Sequence, residues 1–201
     1  MIGGSGRVVL VALAAGTVGV IASLAFNGPS GALLQTDAGQ RIALRALRAS
    51  AATPPAGVAI AERGQPVPPF VLDDLDGQRV ALPAAYAGRP VLINLWASWC
   101  APCVREMPEL QRFHAAQGDT GTQVVGIALD DRAAVLDFLA RVPVAYPILR
   151  DAAGPADAGV RLGNVKGVLP YSLLLAANGT LLKERIGPFA DGEIDAWARS
   201  E

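Results

Sequence analysis

Two residues of this chain carry thiols, Cys100 and Cys103, and they stand three apart in the run Trp99-Cys100-Ala101-Pro102-Cys103. They are the only cysteines among 201 residues. A disulfide framework needs more cysteines at wider spacing, so this pair is local chemistry rather than a staple. Half a zinc site is a weaker reading, because zinc takes four ligands and the chain adds one histidine, His114, and no further thiol. What remains is a dithiol that closes to a disulfide, either as a fixed structural bond or as a redox couple that turns over.

The neighbouring elements decide what such a pair can do. Pro90 to Trp96 reads PVLINLW, with the character of a buried strand. From Cys100 to Ala116 the apolar residues Val104, Met107, Leu110 and Phe113 return at about helical period. Cys100 therefore falls where a strand ends and a helix begins. Its thiolate can accept unpaired backbone N–H groups there and feel the positive end of the helix, which lowers its pKa and makes it the exposed nucleophile. Cys103, one turn later on the same face, is placed to be the buried resolving thiol. Pro102 suits the first helical turn, which does not need its N–H. Pro108, deeper in the helix, is expected to kink it.

Trp96 and Trp99 both suit ordinary core aromatics, but Trp99, directly before the nucleophile, is better placed to shield it and to pack on a partner. Glu106 lies three residues past Cys103 on the same side of the helix. If partly buried, its pKa is raised and it can shuttle a proton to or from Cys103; if solvated, it is an ordinary helical charge. Spacing leaves both readings open. His114, three turns beyond Cys103, reads as a surface residue without chemistry.

Ahead of the site, Phe70–Leu72 and Val80–Leu82 flank Asp76–Gly77 and read as a hairpin. Behind it come a buried strand at Gln123–Leu129 and a helix at Arg132–Arg141 with Val135, Phe138 and Leu139 as its stripe. Tyr146–Leu149 is a short strand candidate, and residues 151–167 read as loops with a short helix. Tyr171–Ala176 and Leu181–Ile186 form a hairpin about Asn178–Gly179, and Asp191–Arg199 makes a final helix with Ile194 and Trp197. Strands alternating with helices predict a mostly parallel sheet covered on both faces, with antiparallel edge strands added by the hairpins. There is no internal repeat, glycine-rich phosphate loop or metalloprotease signature.

At the N-terminus, Val8 to Phe26 is 19 residues without a charge, preceded by Arg7 and followed by no charge until Asp37. A bilayer core needs about 20 helical residues, and Arg7 favours a cytoplasmic N-terminus with the rest exported. An uncleaved membrane anchor over residues 1–28 is the expectation. A signal peptide cut after Ala25 is the first alternative, and a buried helix of a globular domain is a second, which Gly16 and Gly19 disfavour. Residues 29–61 are expected to be a linker, in which Gln40–Ser50 forms a short basic amphipathic helix, either at a membrane surface or as a solvated spacer. The redox domain then occupies 62–201. With 17 Lys and Arg against 18 Asp and Glu, no field favours nucleic acid as a partner.

The run NLWASWCAPCVREMPEL, Asn94 to Leu110, closely resembles the TlpA/ResA group of thioredoxin-like proteins. The tryptophan and Cys-x-Pro-Cys mark the thioredoxin superfamily, and Asn94, Glu106 and Pro108 narrow it to this group. The resemblance covers roughly Glu62 to Glu201. It implies an α/β thioredoxin-like fold with a central mixed sheet flanked by helices, an N-terminal β-hairpin, and a central insertion that runs from Gln123 through helix 132–141 to YPILRD. A transmembrane helix would precede the domain. The resemblance also implies that Asn94 stands where ordinary thioredoxins keep a buried Asp base. Glu106 would be the acidic residue kept near the active site. Leu169–Pro170 would be the cis-proline segment that lies opposite the dithiol and guides extended substrate backbone. Catalysis is thereby assigned to Cys100, Cys103 and Glu106, and substrate docking to Trp99, Ala101, Pro102, Leu169 and Pro170. Asn94 and Trp96 become structural neighbours of the site. Two departures stand out: LLLAANG lacks the usual acidic residue ahead of the Asn–Gly turn, and Leu169 replaces the common Thr or Val.

Members of this group are thiol–disulfide oxidoreductases tethered to the outer side of bacterial inner membranes. The resemblance implies a periplasmic reductant of protein disulfides that needs no cofactor. Its clients would be haem-site cysteines of apocytochrome c or cysteines of copper-site assembly proteins, and its electrons would come from a membrane thiol transporter of the DsbD/CcdA kind. Ala101–Pro102 does not settle direction, since potential reflects the relative stability of the reduced and oxidised forms. An oxidant that introduces disulfides is the opposing expectation. A non-catalytic binding module is a third, which the retention of both cysteines disfavours.

Overall fold

The computed structural model describes residues 36–199. The expected anchor, Val8–Phe26, lies outside the described residues. Among the described residues, no helix is long and apolar enough to cross a membrane. The chain divides into two compact units between Ala46 and Leu47. The first supplies most of helix α1, Asp37–Ala49, which appears where the short basic helix was expected. Asp37 in its first turn and Arg48 in its last complement the helix dipole.

The second unit begins at Leu47, within the stretch expected to be linker. Arg48 is ion-paired with Glu184, and its Nε donates to the Gly163 carbonyl at 3.4 Å. The Ala61 N–H donates to the Arg161 carbonyl at 2.8 Å. Among its described residues this unit carries seven strands: β1 (Phe70–Asp74), β2 (Arg79–Leu82), β3 (Val91–Trp96), β4 (Gln123–Leu129), β5 (Ile148–Asp151), β6 (Tyr171–Leu175) and β7 (Leu181–Ile186). Its α-helices are α2 (Ala101–Gln117), α3 (Arg132–Arg141), α4 (Ala158–Arg161) and α5 (Glu193–Trp197).

The strands form one mixed sheet in the order β2-β1-β5-β4-β3-β6-β7. β3, β4 and β5 are mutually parallel at its centre. The two hairpins add antiparallel strands on either side, β1 against β5 and β6 against β3. Both hairpin turns follow from local chemistry. The Asp74 carboxylate accepts the Asp76 and Gln78 N–H groups, and the Asn178 side chain accepts the Thr180 N–H. Gly77 and Gly179 supply the positive φ that each turn requires.

Every residue of β3 and β6 is buried, as for strands covered on both faces. Because side chains alternate along a strand, Leu92, Asn94 and Trp96 share one face of β3. That face packs with Val124 and Ala128 of β4 and Leu174 of β6. It is covered by Cys103, Met107, Leu110 and Phe113 of α2, Val135 and Phe138 of α3, and Ile194 of α5.

Several boundaries differ from the sequence-based expectation. The strand expected at Tyr146–Leu149 runs from Ile148 to Asp151, since Pro147 has no N–H for the ladder and pairing with β4 starts at Ile148 against Gly126. The final helix is shorter than Asp191–Arg199, because Gly192 takes a left-handed conformation at its start. α2 runs unbroken through Pro108. His114 is half-buried rather than free on the surface, with its ring edge-on to Tyr146 at 5.9 Å.

Candidate active site

Cys100 and Cys103 are joined as a disulfide, with 5.3 Å between their Cα atoms. Cys100 occupies the N-cap of α2 with an extended backbone, and its carbonyl accepts the Val104 N–H at 3.1 Å. Its Sγ accepts the Cys103 N–H at 3.4 Å. The sulfur thus takes one of the donors that a helix start leaves unpaired, and it lies at the positive end of the dipole. The expected order of exposure holds in a weaker form than anticipated. Cys100 keeps 5% of its surface accessible and Cys103 none, because in the disulfide both belong to the core cluster.

Above this nearly buried bond stands an exposed rim. Trp99 is 71% accessible, Ala101 is exposed and Pro102 half-buried. The loop before the helix is pinned by Asp130, at the end of β4, whose Oδ2 accepts the Ser98 N–H at 3.0 Å and the Ser98 hydroxyl at 2.5 Å. On the other side, the Leu169–Pro170 peptide is cis, and Leu169 packs against the cluster that contains both cysteines. Tyr171 pairs with Leu95, so Pro170 arrives beside the end of β3 from which residues 97–100 depart. A second cis bond, Leu82–Pro83, belongs to the N-terminal hairpin and had no signal in the sequence.

Glu106 is 2% exposed, which decides between its two readings in favour of the buried one. Helical period turns it inward beside Cys103, Met107 and Leu110, and strand period turns Asn94 toward it. The Asn94 amide donates to Glu106 Oε1 at 2.8 Å and to the Ser172 hydroxyl at 3.1 Å. The Phe189 N–H donates to Glu106 Oε2 at 3.0 Å. Burial pushes the Glu106 carboxyl up to about 7, against the opposing effects of the Phe189 amide, the Asn94 amide and the charge of Arg185. A group half-protonated near neutral pH is suited to give or take a proton. Burial, and secondarily the Glu106 charge, raises the Tyr146 phenol above its ordinary value, so it stays neutral.

Trp96 is fully buried and tilted against Phe138 at 5.2 Å, with its Nε1 unpartnered. Gly126 makes room for it: a Cβ there would stand 3.1 Å from Trp96 Nε1 and 3.2 Å from the Tyr146 ring. Ser172, Phe189, Asp130 and Tyr146 were not anticipated as part of this site. Ser172 alone had a signal, as the polar residue in the apolar run YSLLL directly opposite Asn94.

Because the folded state holds the Glu106 proton more tightly than the unfolded chain, this group's stabilising contribution is full below about pH 4.5. It is lost as pH rises to about 7, by about 3 kcal/mol in total. Glu106→Gln removes that dependence. Denaturant unfolding of the disulfide form at pH 5 and pH 8 should show the parent protein losing stability relative to the variant. Parallel behaviour of the two would contradict a carboxyl held near neutrality.

Comparison with known proteins agrees with this geometry. The Redoxin family model matches residues 62–197. Sporulation thiol-disulfide oxidoreductase A of Bacillus subtilis is 28% identical over 147 residues, covering 70% of this chain and 86% of that protein. The thiol-disulfide oxidoreductase ResA of Geobacillus kaustophilus is 30% identical over 138 residues, covering 68% of this chain and 76% of the relative. Among solved structures, a putative thiol:disulfide interchange protein DsbE from Chlorobium tepidum superposes with a TM-score of 0.58 at 28% identity, covering 68% of this chain and 94% of that one. The chain, with a Cys100–Cys103 pair at the start of α2, therefore belongs to the redoxin family as a ResA/TlpA-like thiol–disulfide oxidoreductase with a thioredoxin-like fold.

Proposed function

We propose that the chain is a reductant of protein disulfides, held at the outer face of a bacterial inner membrane by Val8–Phe26. The observation that carries the chemistry is a disulfide at the N-terminus of α2 with a buried carboxyl one turn beyond it. In the reduced form, the Cys100 thiolate attacks one sulfur of a client disulfide. A Cys100–client bond forms, and the other client sulfur leaves as a thiolate that takes a proton. Cys103 then gives its proton to Glu106 and attacks Cys100 Sγ. The Cys100–Cys103 bond forms and the second client thiolate departs. Two electrons have moved to the client, and the protein is left in the disulfide state described above.

Each surrounding residue has a part in this reading. The N-cap position of Cys100 stabilises its thiolate. Glu106 carries the Cys103 proton because Asn94, an amide, cannot. Trp99, Ala101, Pro102, Leu169 and Pro170 form the surface on which an extended client segment lies across the sulfur, and Trp96 packs beneath them. Return to the dithiol requires an external donor, a membrane thiol transporter of the DsbD/CcdA kind. Clients are drawn from haem-site cysteines of apocytochrome c or from metal-site assembly proteins.

Four outcomes test this. Cys103→Ser should accumulate mixed disulfides with clients, whereas Cys100→Ser should accumulate few. Alkylation of the reduced protein should give Cys100 a pKa below the free value of about 8.5. Equal trapping by both variants would contradict the assignment of nucleophile and resolver. The standard potential, from equilibration with a glutathione or dithiothreitol couple, should lie near that of thioredoxin, about −270 mV, whereas a value near −120 mV would identify an oxidant. Protease added to spheroplasts should digest the redox domain while the cells stay intact. Protection would overturn the topology, and release of the domain in free form would point to cleavage after Ala25.

A further inference from the structure

Of the two groups that hydrogen-bond the Glu106 carboxylate, one comes from a strand and the other from an irregular segment. Asn94 sits in β3, while Phe189 sits in the turn between β7 and α5. An amide in such a turn is a dependable donor only if the turn is fixed. Arg185, near the end of β7, supplies the fixation. Its Nη2 donates to the Pro188 carbonyl at 3.0 Å and to Glu193 Oε2 at 3.0 Å, and its Nη1 pairs with Glu193 Oε1 at 2.7 Å. Glu193 Oε2 in turn accepts the Ala190 N–H at 2.9 Å. The residues on either side of Phe189 are thus held by one ion pair, and the Arg185 guanidinium lies over the Phe189 ring at 4.7 Å from its centroid.

Arg185 is itself buried, at 4% exposure, and its Nε–H has no partner. A buried guanidinium is costly unless well paired, and a less costly turn would use neutral groups. Among the described residues, the groups shown to act on Glu106 are the Asn94 amide of β3, which also donates to the Ser172 hydroxyl of β6, the Phe189 N–H, Tyr146 from the segment before β5, and Arg185 of β7, itself paired with the Glu193 carboxylate. Among these, Arg185 alone is cationic.

We propose that Arg185, together with Glu193, is a positioning residue for the redox centre: the pair locks Pro188–Ala190 so that the Phe189 N–H stays on Glu106, and it sets a fixed positive charge near that carboxylate. The proposal rests on the reading of Glu106 as the proton carrier. Both effects favour the carboxylate over the carboxylic acid, so removing Arg185 raises the pH at which Glu106 ionises.

The test compares the parent protein with Arg185→Met, Arg185→Gln and Arg185→Lys. Glu106 ionisation is read from its carboxyl carbon by NMR, assigned with Glu106→Gln, and the thiol-exchange rate is recorded against pH. Arg185→Met and Arg185→Gln should both move the Glu106 midpoint, and the matching feature of the exchange profile, to higher pH by about one pH unit. Arg185→Gln keeps an amide donor for Pro188 and serves where Arg185→Met does not fold. Arg185→Lys keeps the charge and should recover at least half of the displacement. In a Glu106→Gln background, the Arg185 substitutions should leave the exchange profile where Glu106→Gln alone puts it. An unmoved midpoint in Arg185→Gln, or an effect that persists undiminished without Glu106, overturns the proposal. Failure of all three variants to fold also overturns it, by assigning Arg185 to the fold alone. If Glu106→Gln leaves the parent profile unchanged, the reading of Glu106 itself falls. If Glu106→Gln acts and the Arg185 variants do not, only the role of Arg185 falls.

Discussion

A carboxyl group shut into an apolar core must either shed its charge or be hydrogen-bonded there, since an unpaired buried charge costs several kcal/mol. Glu106 is held between these limits. It is buried against the central sheet, with the Asn94 amide on one oxygen, the Phe189 N–H on the other and a buried arginine near by. Two neutral donors do not fully replace water, so the proton is bound more tightly than in solution but not permanently. The rest of the site follows from that balance. A carboxyl poised near neutrality, one helical turn from Cys103, is suited in the proposed mechanism to take the Cys103 proton when the disulfide closes and return it when the disulfide opens.

The fold supplies this balance through two periodicities. β3 is buried along its whole length, and its alternation puts Leu92, Asn94 and Trp96 on the face that meets α2. α2 answers with Cys103, Glu106, Met107 and Leu110 at its own period. The antiparallel pairing of β6 places Ser172 directly across from Asn94, so the amide satisfies both of its donors and is fixed in one orientation. The same helix that buries the carboxyl presents its free N-terminus to Cys100. A helix start suited to stabilising a thiolate and a carboxyl suited to storing a proton one turn in are thus offered by one element.

The parts of this arrangement that were legible in the sequence are those set by short-range pattern. The dithiol at a strand-to-helix junction, the hairpins at Asp76–Gly77 and Asn178–Gly179, and the buried strands around Asn94 and Ser172 follow from spacing and turn chemistry. Glu106 stayed ambiguous because a charged residue at helical spacing reads the same whether it faces solvent or core. Its burial is decided by what lies opposite, in β3 and in the turn after β7. Phe189 was illegible for a simpler reason: it contributes a backbone N–H, which every residue but proline possesses. Arg185 and Asp130 act on segments distant in sequence, Arg185 holding the turn that meets Glu106 and Asp130 the loop before Cys100. No local pattern marks a charge that works across the fold. The shift of β5 to Ile148 was readable from Pro147, whose missing N–H forbids it from opening the ladder.

Coupling between the buried carboxyl and the dithiol is tested most directly by the standard potential of the Cys100–Cys103 couple measured against pH in the parent protein and in Glu106→Gln. A two-electron, two-proton couple falls by about 59 mV per pH unit. If Glu106 exchanges its proton with the centre, its ionisation differs between the reduced and oxidised forms, and the parent line departs from that slope in a window around neutral pH. Glu106→Gln should then keep only the bend that ionisation of Cys100 sets and lose the remainder. Two curves of the same shape would show that Glu106 is a buried structural residue and that the dithiol moves its protons without it.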